Sequence, residues 1–560
     1  MGAVVAQAAT RIVTPSIDWS ALWPVIVLAL GAVLLLTFSS LLKGKPLKGV
    51  YTVYTVVVAG AAMATALPLW GKVQGWTEIG RLTIDPPYGP FTTAGGAIGV
   101  DGFGVFVIFV ICSAVILGAL LADDYLRREG LDGPELYVLM LLSASGGVLM
   151  AMANDLLVLF LALETLSIAV YALAAFHRKR IQSQEAGLKY FVLGGFSSAF
   201  FLYGIAMVYG ATGTTNLITI KDSLSQTIAL HNSLLLLGFA MLLVGLGFKV
   251  AAVPFHSWSP DVYDGSPTPV TAFMASGVKA AAFAGLIRVF YLAFGQYAAD
   301  WQPVVYALAV LSMVGGSVLG IVQTNVKRAL AYSAISHAGF ILMAVEAATP
   351  GGVSAALFYL ATYTFMVAGS FGIATLAGRR GDGLHTFDDY RGFSRTNPVL
   401  AGMFVVFLLG QAGVPFTSGF VAKLYTVIAA VDAGSWILAV IAVVSAVIAA
   451  VIYLRIIVTM YMAEGDDGGT EPVAAGERIK IPFAAGLGLV VCLLATIGFG
   501  ILPNGLTEIT TVSQPALVRE AAVEGGGNVG SPVGQGRSGA PTTSGGPGVT
   551  ITVPASATGR

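Results

Sequence analysis

The chain has 560 residues, 56% of them hydrophobic and only 10% charged, and its 29 basic and 29 acidic side chains balance to no net charge. A soluble domain carries about 25% charged residues, so this composition excludes an ordinary soluble fold. Apolar runs of about 20 residues recur along most of the length, the mark of an all-α polytopic membrane protein.

In chain order the runs predict fourteen spans, near 21–42, 50–71, 101–122, 135–152, 155–176, 185–210, 233–255, 268–294, 303–323, 326–346, 353–377, 399–431, 435–462 and 481–502. The first lacks a basic segment directly before it and is too long for a signal peptide's apolar core, so it is expected to stay as a helix. The seventh ends at Pro254 and runs on into polar HSWSPDVYDGSPTP, and the twelfth is broken by GQAGVPFTSG. Proline and glycine at membrane depth are tolerated only where the freed backbone faces protein or a water-filled cavity. Ala252-Val253-Pro254-Phe255 and Gly413-Val414-Pro415-Phe416 echo each other five spans apart. An odd offset means opposite orientation, as in an inverted repeat.

The chain then divides into 1–125 with three N-terminal spans, 126–300 as a first repeat, 301–465 as a second, inverted repeat, 466–510 with a C-terminal span, and a tail, 511–560. Beyond about 525 glycine, serine, proline and threonine dominate, and disorder is expected there. Loops after odd-numbered spans hold sixteen Lys and Arg, among them Lys43, Arg127, Arg178, Arg328, Arg379 and Arg478, against Lys72, Arg81 and Lys221 after even-numbered spans. The positive-inside rule makes the odd loops cytoplasmic and puts both termini on the other side.

Glu164, Lys249, Lys279 and Lys423 each interrupt an apolar run. A charge in hydrocarbon costs at least ~2.5–3.5 kcal/mol on insertion scales, so such residues usually line a polar path. At a rise of ~1.5 Å per residue, Glu164 lies roughly 15 Å beyond Asn154, Lys279 roughly 18 Å beyond Pro267 and His337 roughly 15 Å beyond Lys327. All three fall near the midplane of a core ~30 Å thick. One shared depth implies a path parallel to the membrane, and one acid with several lysines points to proton movement.

Each of these residues has a plainer reading. Glu164 and Lys249 form either a static buried ion pair or a pair whose separation changes, since burial favours a neutral amine and a nearby carboxylate restores its charge. Lys279 is a relay or a snorkelling side chain. Lys423 is a relay or a cap on broken-helix carbonyls, and His337 a relay or a hydrogen-bonded core histidine. Lys189, at the opening of the sixth span, is an accessory relay or a loop-edge lysine. Arg288 and Arg455 sit near helix exits and read as interface anchors, and Asp155 reads as an N-terminal helix charge. Cys112 and Cys492 read as packed thiols without metal or cluster spacing. No nucleotide, dinucleotide or haem motif occurs, so driving energy must come from partners or an ion gradient.

The stretch FKVAAVPFHSWSPDVYDGSPTPVTAFMASGVKAAAF resembles the antiporter-like membrane subunits of respiratory complex I, and among them the subunit N pattern. ALETLSIAVYALAAF, EAGLKYFVLGGFSSAFFLYGIAMVYG, LAYSAISHAGFIL and GVPFTSGFVAKLY carry the resemblance over about 100–465. It implies two inverted five-helix repeats with discontinuous helices, and proton translocation coupled to quinone reduction elsewhere in the complex. By motif, Glu164 and Lys249 take the glutamate–lysine pair, Lys279 the central lysine, Lys423 the exit-side lysine, and Lys189 and His337 accessory positions. Phe416-Thr417 after Pro415 departs from the pattern, as does the long tail. The resemblance further implies a bacterial plasma-membrane hetero-oligomer with a neighbouring antiporter-like subunit and small membrane subunits. No cofactor or metal is expected in this chain, with flavin and iron–sulfur clusters in partner subunits, and no nucleic acid. Two other readings stand beside it: a subunit of a multisubunit cation/proton antiporter or hydrogenase-linked relative, and a non-transporting membrane scaffold.

Overall fold

In the computed structural model, which describes residues 15–41, 48–80, 82–86, 88–226, 233–462 and 478–518, the apolar runs become helices. The N-terminal part holds α1 (Trp19–Leu41), α2 (Val50–Gln74), α3 (Gly102–Glu129), α4 (Glu135–Met152), α5 (Leu156–Ala174), α6 (Ile181–Thr212) and the short α7 (Leu217–Gln226). The middle holds α8 (Ser233–Val250), α9 (Trp258–Gly265), α10 (Thr268–Phe273), α11 (Lys279–Ile287), α12 (Ala298–Ile321), α13 (Val326–Glu346) and α14 (Pro350–Ala377). Then come α15 (Phe393–Thr396), α16 (Pro398–Ala412), α17 (Ser418–Asp432), α18 (Trp436–Met462), α19 (Phe483–Ile501) and α20 (Asn504–Val512). Among the described residues thirteen segments are long and apolar enough to cross a membrane, fourteen with the bent segment that contains α16. The expectation of helices alone misses two small hairpins between α2 and α3, Glu78–Ile79 with Leu82–Thr83 and Phe91–Thr93 with Ile98–Val100. The expected disorder beyond about 525 lies outside the described residues.

Polar residues at the mouths of the runs set the helix ends. Asp101, Asp155, Asn325 and Thr349 accept first-turn amides of α3, α5, α13 and α14, satisfying donors the helix leaves free. Asp155 thus behaves as the sequence implies. In lipid, apolar area drives no helix association, so close backbone approach matters. A methyl on Gly316 of α12 would stand 2.5 Å from the Ser336 amide nitrogen, and one on Gly339 of α13 would stand 2.6 Å from that of Met313. These two glycines let α12 and α13 pack backbone to backbone.

Thr268–Ala293 is wholly buried, and α13 and α14 nearly so, while α1, α2, α18 and α19 turn most of their surface outward. The buried span is not one regular helix. A π-helical turn, Met274–Val278, joins α10 to α11 and delivers Lys279 as the first residue of α11. Both predicted breaks are present. α8 stops at Val250, five residues before the predicted end of its span, because Ala251 turns left-handed at φ 60° and the chain resumes at α9. Between α16 and α17, Gly413 and Phe416 take φ of 86° and 69°.

Candidate functional site

The seventh span stops inside the bundle because Pro254 has no amide to bond the Val250 carbonyl and continue α8, and this leaves Lys249 in its last turn, buried. Its Nζ donates to Ser167 Oγ on α5 at 2.8 Å and lies over the rings of Tyr171 and Tyr190, 5.3 and 5.0 Å from their centroids. Glu164, one turn before Ser167, instead accepts the Ser198 hydroxyl of α6. The two residues expected as a pair are therefore held by different serines, Lys249 by Ser167 on α5 and Glu164 by Ser198 on α6, and no ion pair joins them. Lys189 sits apart, on Glu185 at 2.5 Å and Asp261 at 2.9 Å, and Asp261 also takes Arg328 Nη1 at 2.7 Å.

Lys279 is buried and donates to the main-chain carbonyl of Ala334 on α13 at 2.6 Å, so it reaches a neighbour rather than an interface. One turn along α13, His337 is buried between two tyrosines. Its Nδ1 is 2.6 Å from Tyr359 Oη and its Nε2 3.1 Å from Tyr453 Oη. Tyr453 Oη is in turn 2.6 Å from Ser333 Oγ, which donates to Gln411 Oε1 at 3.2 Å. Gln411 belongs to the last turn of α16, and its Nε2 donates to Ser370 Oγ at 2.6 Å. Lys423, on α17 beyond the break, places Nζ 2.8 Å from the Gln411 carbonyl and 2.9 Å from that of Ala412. It caps the broken helix, whose last carbonyls have no intrahelical partner.

Three of the four lysines buried among the described residues share one property, the fourth being Lys327 beside Asp382. Lys249 bonds to a hydroxyl, and Lys279 and Lys423 to carbonyls, and among the described residues none pairs with a carboxylate. A neutral acceptor takes a hydrogen bond from an amine as well as, more strongly, from an ammonium, so each site accommodates either protonation state. His337, Tyr453, Ser333 and Gln411 form a hydrogen-bonded string between the region of Lys279 and that of Lys423. Glu164, Lys249 and Lys189 stand outside that string.

Sequence reasoning missed Tyr453, Tyr359, Ser333 and Gln411. It also placed Arg288 at an interface, and this is corrected: Arg288 is fully buried, with Nη2 2.7 Å from Asp101 Oδ1. Helical rise located it near a membrane edge but could not show that the segment before α3 folds over that edge. Arg455 is exposed, donating to the Ile321 and Gln323 carbonyls at the end of α12, as an edge anchor would. Cys112 and Cys492 are buried free thiols.

Residues 153–449 match the family described as NADH:quinone oxidoreductase/Mrp antiporter, transmembrane. NADH-quinone oxidoreductase subunit N of Trichlorobacter lovleyi is 42% identical over 414 residues, 73% of this chain and 82% of that one. The subunit N of Parafrankia sp. is 39% identical over 548 residues, 92% of this chain and 99% of that one. A chain in the structure of respiratory complex I from Thermus thermophilus with bound aureothin superposes at a TM-score of 0.69, with 32% identity, over 87% of this chain and 98% of that one. A chain of the Mrp complex from Dietzia sp. shares the fold, with a TM-score of 0.74 at 21% identity over 88% and 96%. With two helices broken at matching Val-Pro-Phe motifs, an antiporter-like architecture and this likeness over most of its length, the chain belongs to the NADH:quinone oxidoreductase/Mrp antiporter membrane family, in its subunit N group.

Proposed function

We propose that the chain is a proton-translocating membrane subunit of an NADH:quinone oxidoreductase. It moves protons along Glu164, Lys249, Lys279, His337 and Lys423, driven by quinone reduction elsewhere in the complex. The observation that carries this is that Lys249, Lys279 and Lys423 are buried and held by neutral acceptors rather than by carboxylates, unlike Lys327 beside Asp382. A purely structural lysine in a low-dielectric interior calls for a paired counter-charge, since an uncompensated buried charge is costly.

The Glu164 carboxylate modulates Lys249: brought closer it favours the ammonium, and moved away it favours release of the proton. Release from Lys249 passes charge toward Lys279, and from there the string through His337, Tyr453, Ser333 and Gln411 leads toward Lys423. Lys189, on two carboxylates at the edge of α6, collects protons from the cytoplasmic side. In this reading residues 126–300 and 301–465 are the two repeats, flanked by 1–125, 466–510 and the tail. Flavin and iron–sulfur clusters reside in partner subunits. The chain sits in a bacterial plasma membrane, with both termini on the non-cytoplasmic side, next to another antiporter-like subunit and small membrane subunits. The higher identity to the complex I chain than to the Mrp chain favours this over a cation/proton antiporter.

The test uses assembled complex in membrane vesicles. Glu164→Ala and Lys249→Ala are expected to lower NADH-driven turnover and proton pumping severalfold. Near-normal rates and proton stoichiometry in both variants would refute the reading.

A further inference from the structure

A buried carboxylate outside the relay fastens two of its helices. Asp382 lies between α14 and α15 and is fully buried, although Gly381 and Gly383 beside it are exposed. Its φ of 47° is left-handed, a conformation Asp tolerates better than most residues. Oδ1 accepts the Thr268 hydroxyl at 2.7 Å and Oδ2 the Thr268 amide at 3.2 Å. Thr268 opens α10, so Asp382 caps, from a distant part of the chain, the helix that delivers Lys279. Oδ2 also lies 3.1 Å from Arg180 Nη1 and 3.6 Å from Nζ of Lys327, which opens α13 as its second residue. His385 Nε2 is 2.8 Å from Oδ1, and the Tyr125 hydroxyl donates to Oδ2 at 3.4 Å.

This carboxylate is not placed to carry protons. Burial alone would raise its pKa, but the Lys327 charge and the hydrogen bonds of His385 and Thr268 outweigh burial and hold it well below the usual range. It acts as a fixed charge. One group thus ties the start of the Lys279 helix to the start of the helix bearing Ala334 and His337. The 2.6 Å contact from Lys279 to Ala334 depends on the height of one helix against the other, which is set at that tie.

We propose that Asp382 is the positioning residue that holds Lys279 in register with α13, by clamping the first turns of α10 and α13 with one buried negative charge. The inference rests on the relay reading above.

The test compares Asp382→Asn, Thr268→Val and Lys279→Ala in the intact complex. It reads the amount of assembled complex on native gels separately from protons pumped per NADH oxidised. Asparagine keeps a carbonyl acceptor but leaves Arg180 and Lys327 without their counter-charge. The expected result is a proton-to-NADH ratio lowered toward that of Lys279→Ala. Should Asp382→Asn fail to assemble, Thr268→Val, which removes only the hydroxyl at Oδ1, is expected to assemble and shift the ratio the same way. A loss of assembled complex with a wild-type ratio in the remainder, while Lys279→Ala pumps poorly, would overturn the inference alone. A wild-type ratio in Lys279→Ala would overturn the relay reading and the inference with it.

Discussion

Lys423 Nζ lies 2.8 Å from the main-chain carbonyl of Gln411, whose side chain accepts from Ser333 at 3.2 Å and donates to Ser370 at 2.6 Å. One residue at a helix break therefore holds Lys423 by its backbone and the histidine string by its side chain. Gln411→Leu keeps the size but leaves the buried hydroxyl of Ser370 without its donor and that of Ser333 with one acceptor fewer. An unsatisfied buried polar group costs about 1–3 kcal/mol. The variant is expected to assemble and to pump several times more slowly than it oxidises NADH, as read by pH-dye quenching in vesicles. Pumping in step with oxidation would remove Gln411 from the path.

Tyr453 joins Ser333 to His337 through a single hydroxyl, at 2.6 and 3.1 Å. Tyr453→Phe deletes that oxygen and preserves the ring packing. If protons pass between the histidine and Gln411, its pumping loss should approach that of His337→Ala. A defect confined to His337→Ala would place the route elsewhere around the histidine.

Asp101 and Arg288 form an ion pair closed to solvent, and Asp101 also takes the amides of Gly104 and Ala516. Removing one partner of a buried pair typically destabilises by about 3–5 kcal/mol, because the other charge is stranded. Arg288→Ala should therefore reduce the amount of complex on native gels while leaving the protons pumped per NADH unchanged in what assembles. A changed ratio at normal abundance would make Arg288 part of the path instead.

His385 offers a pH-dependent contribution to stability. Burial pushes its pKa down, partly opposed by the hydrogen bond to Asp382. A lowered folded-state pKa gives stability that is present above the unfolded value of about 6.5 and is lost as pH falls through and below it. The melting temperature of the purified complex should drop between about pH 7.5 and 5.5, and His385→Asn should narrow that drop. An equal drop in both proteins would show that the histidine does not titrate against folding.

The charged residues of the proposed path were legible because charges in mid-span are rare, and the two Val-Pro-Phe motifs announced both breaks. Tyr453, Ser333 and Gln411 were not, since neutral polar side chains are common where transmembrane helices meet. The pairings of Asp101 with Arg288 and of Asp382 with Thr268 join residues 187 and 114 positions apart, beyond the reach of helical periodicity. The glutamate–lysine pair was legible as two residues, but not its open arrangement. Glu164 accepts from Ser198 and Lys249 donates to Ser167, and nothing in the local pattern marked either serine as a partner.

The central claim is that Lys279 gains and loses a proton in each cycle. Its amine rests on the Ala334 carbonyl, which accepts from either form, so this one contact does not separate a cycling lysine from a fixed charge. Arginine keeps that charge and essentially never releases its proton. Pumping by Lys279→Arg and Lys279→Ala, measured per assembled complex in the same vesicles, separates the two cases. The account predicts that arginine impairs pumping almost as much as alanine. Full recovery of the proton-to-NADH ratio by arginine would contradict it.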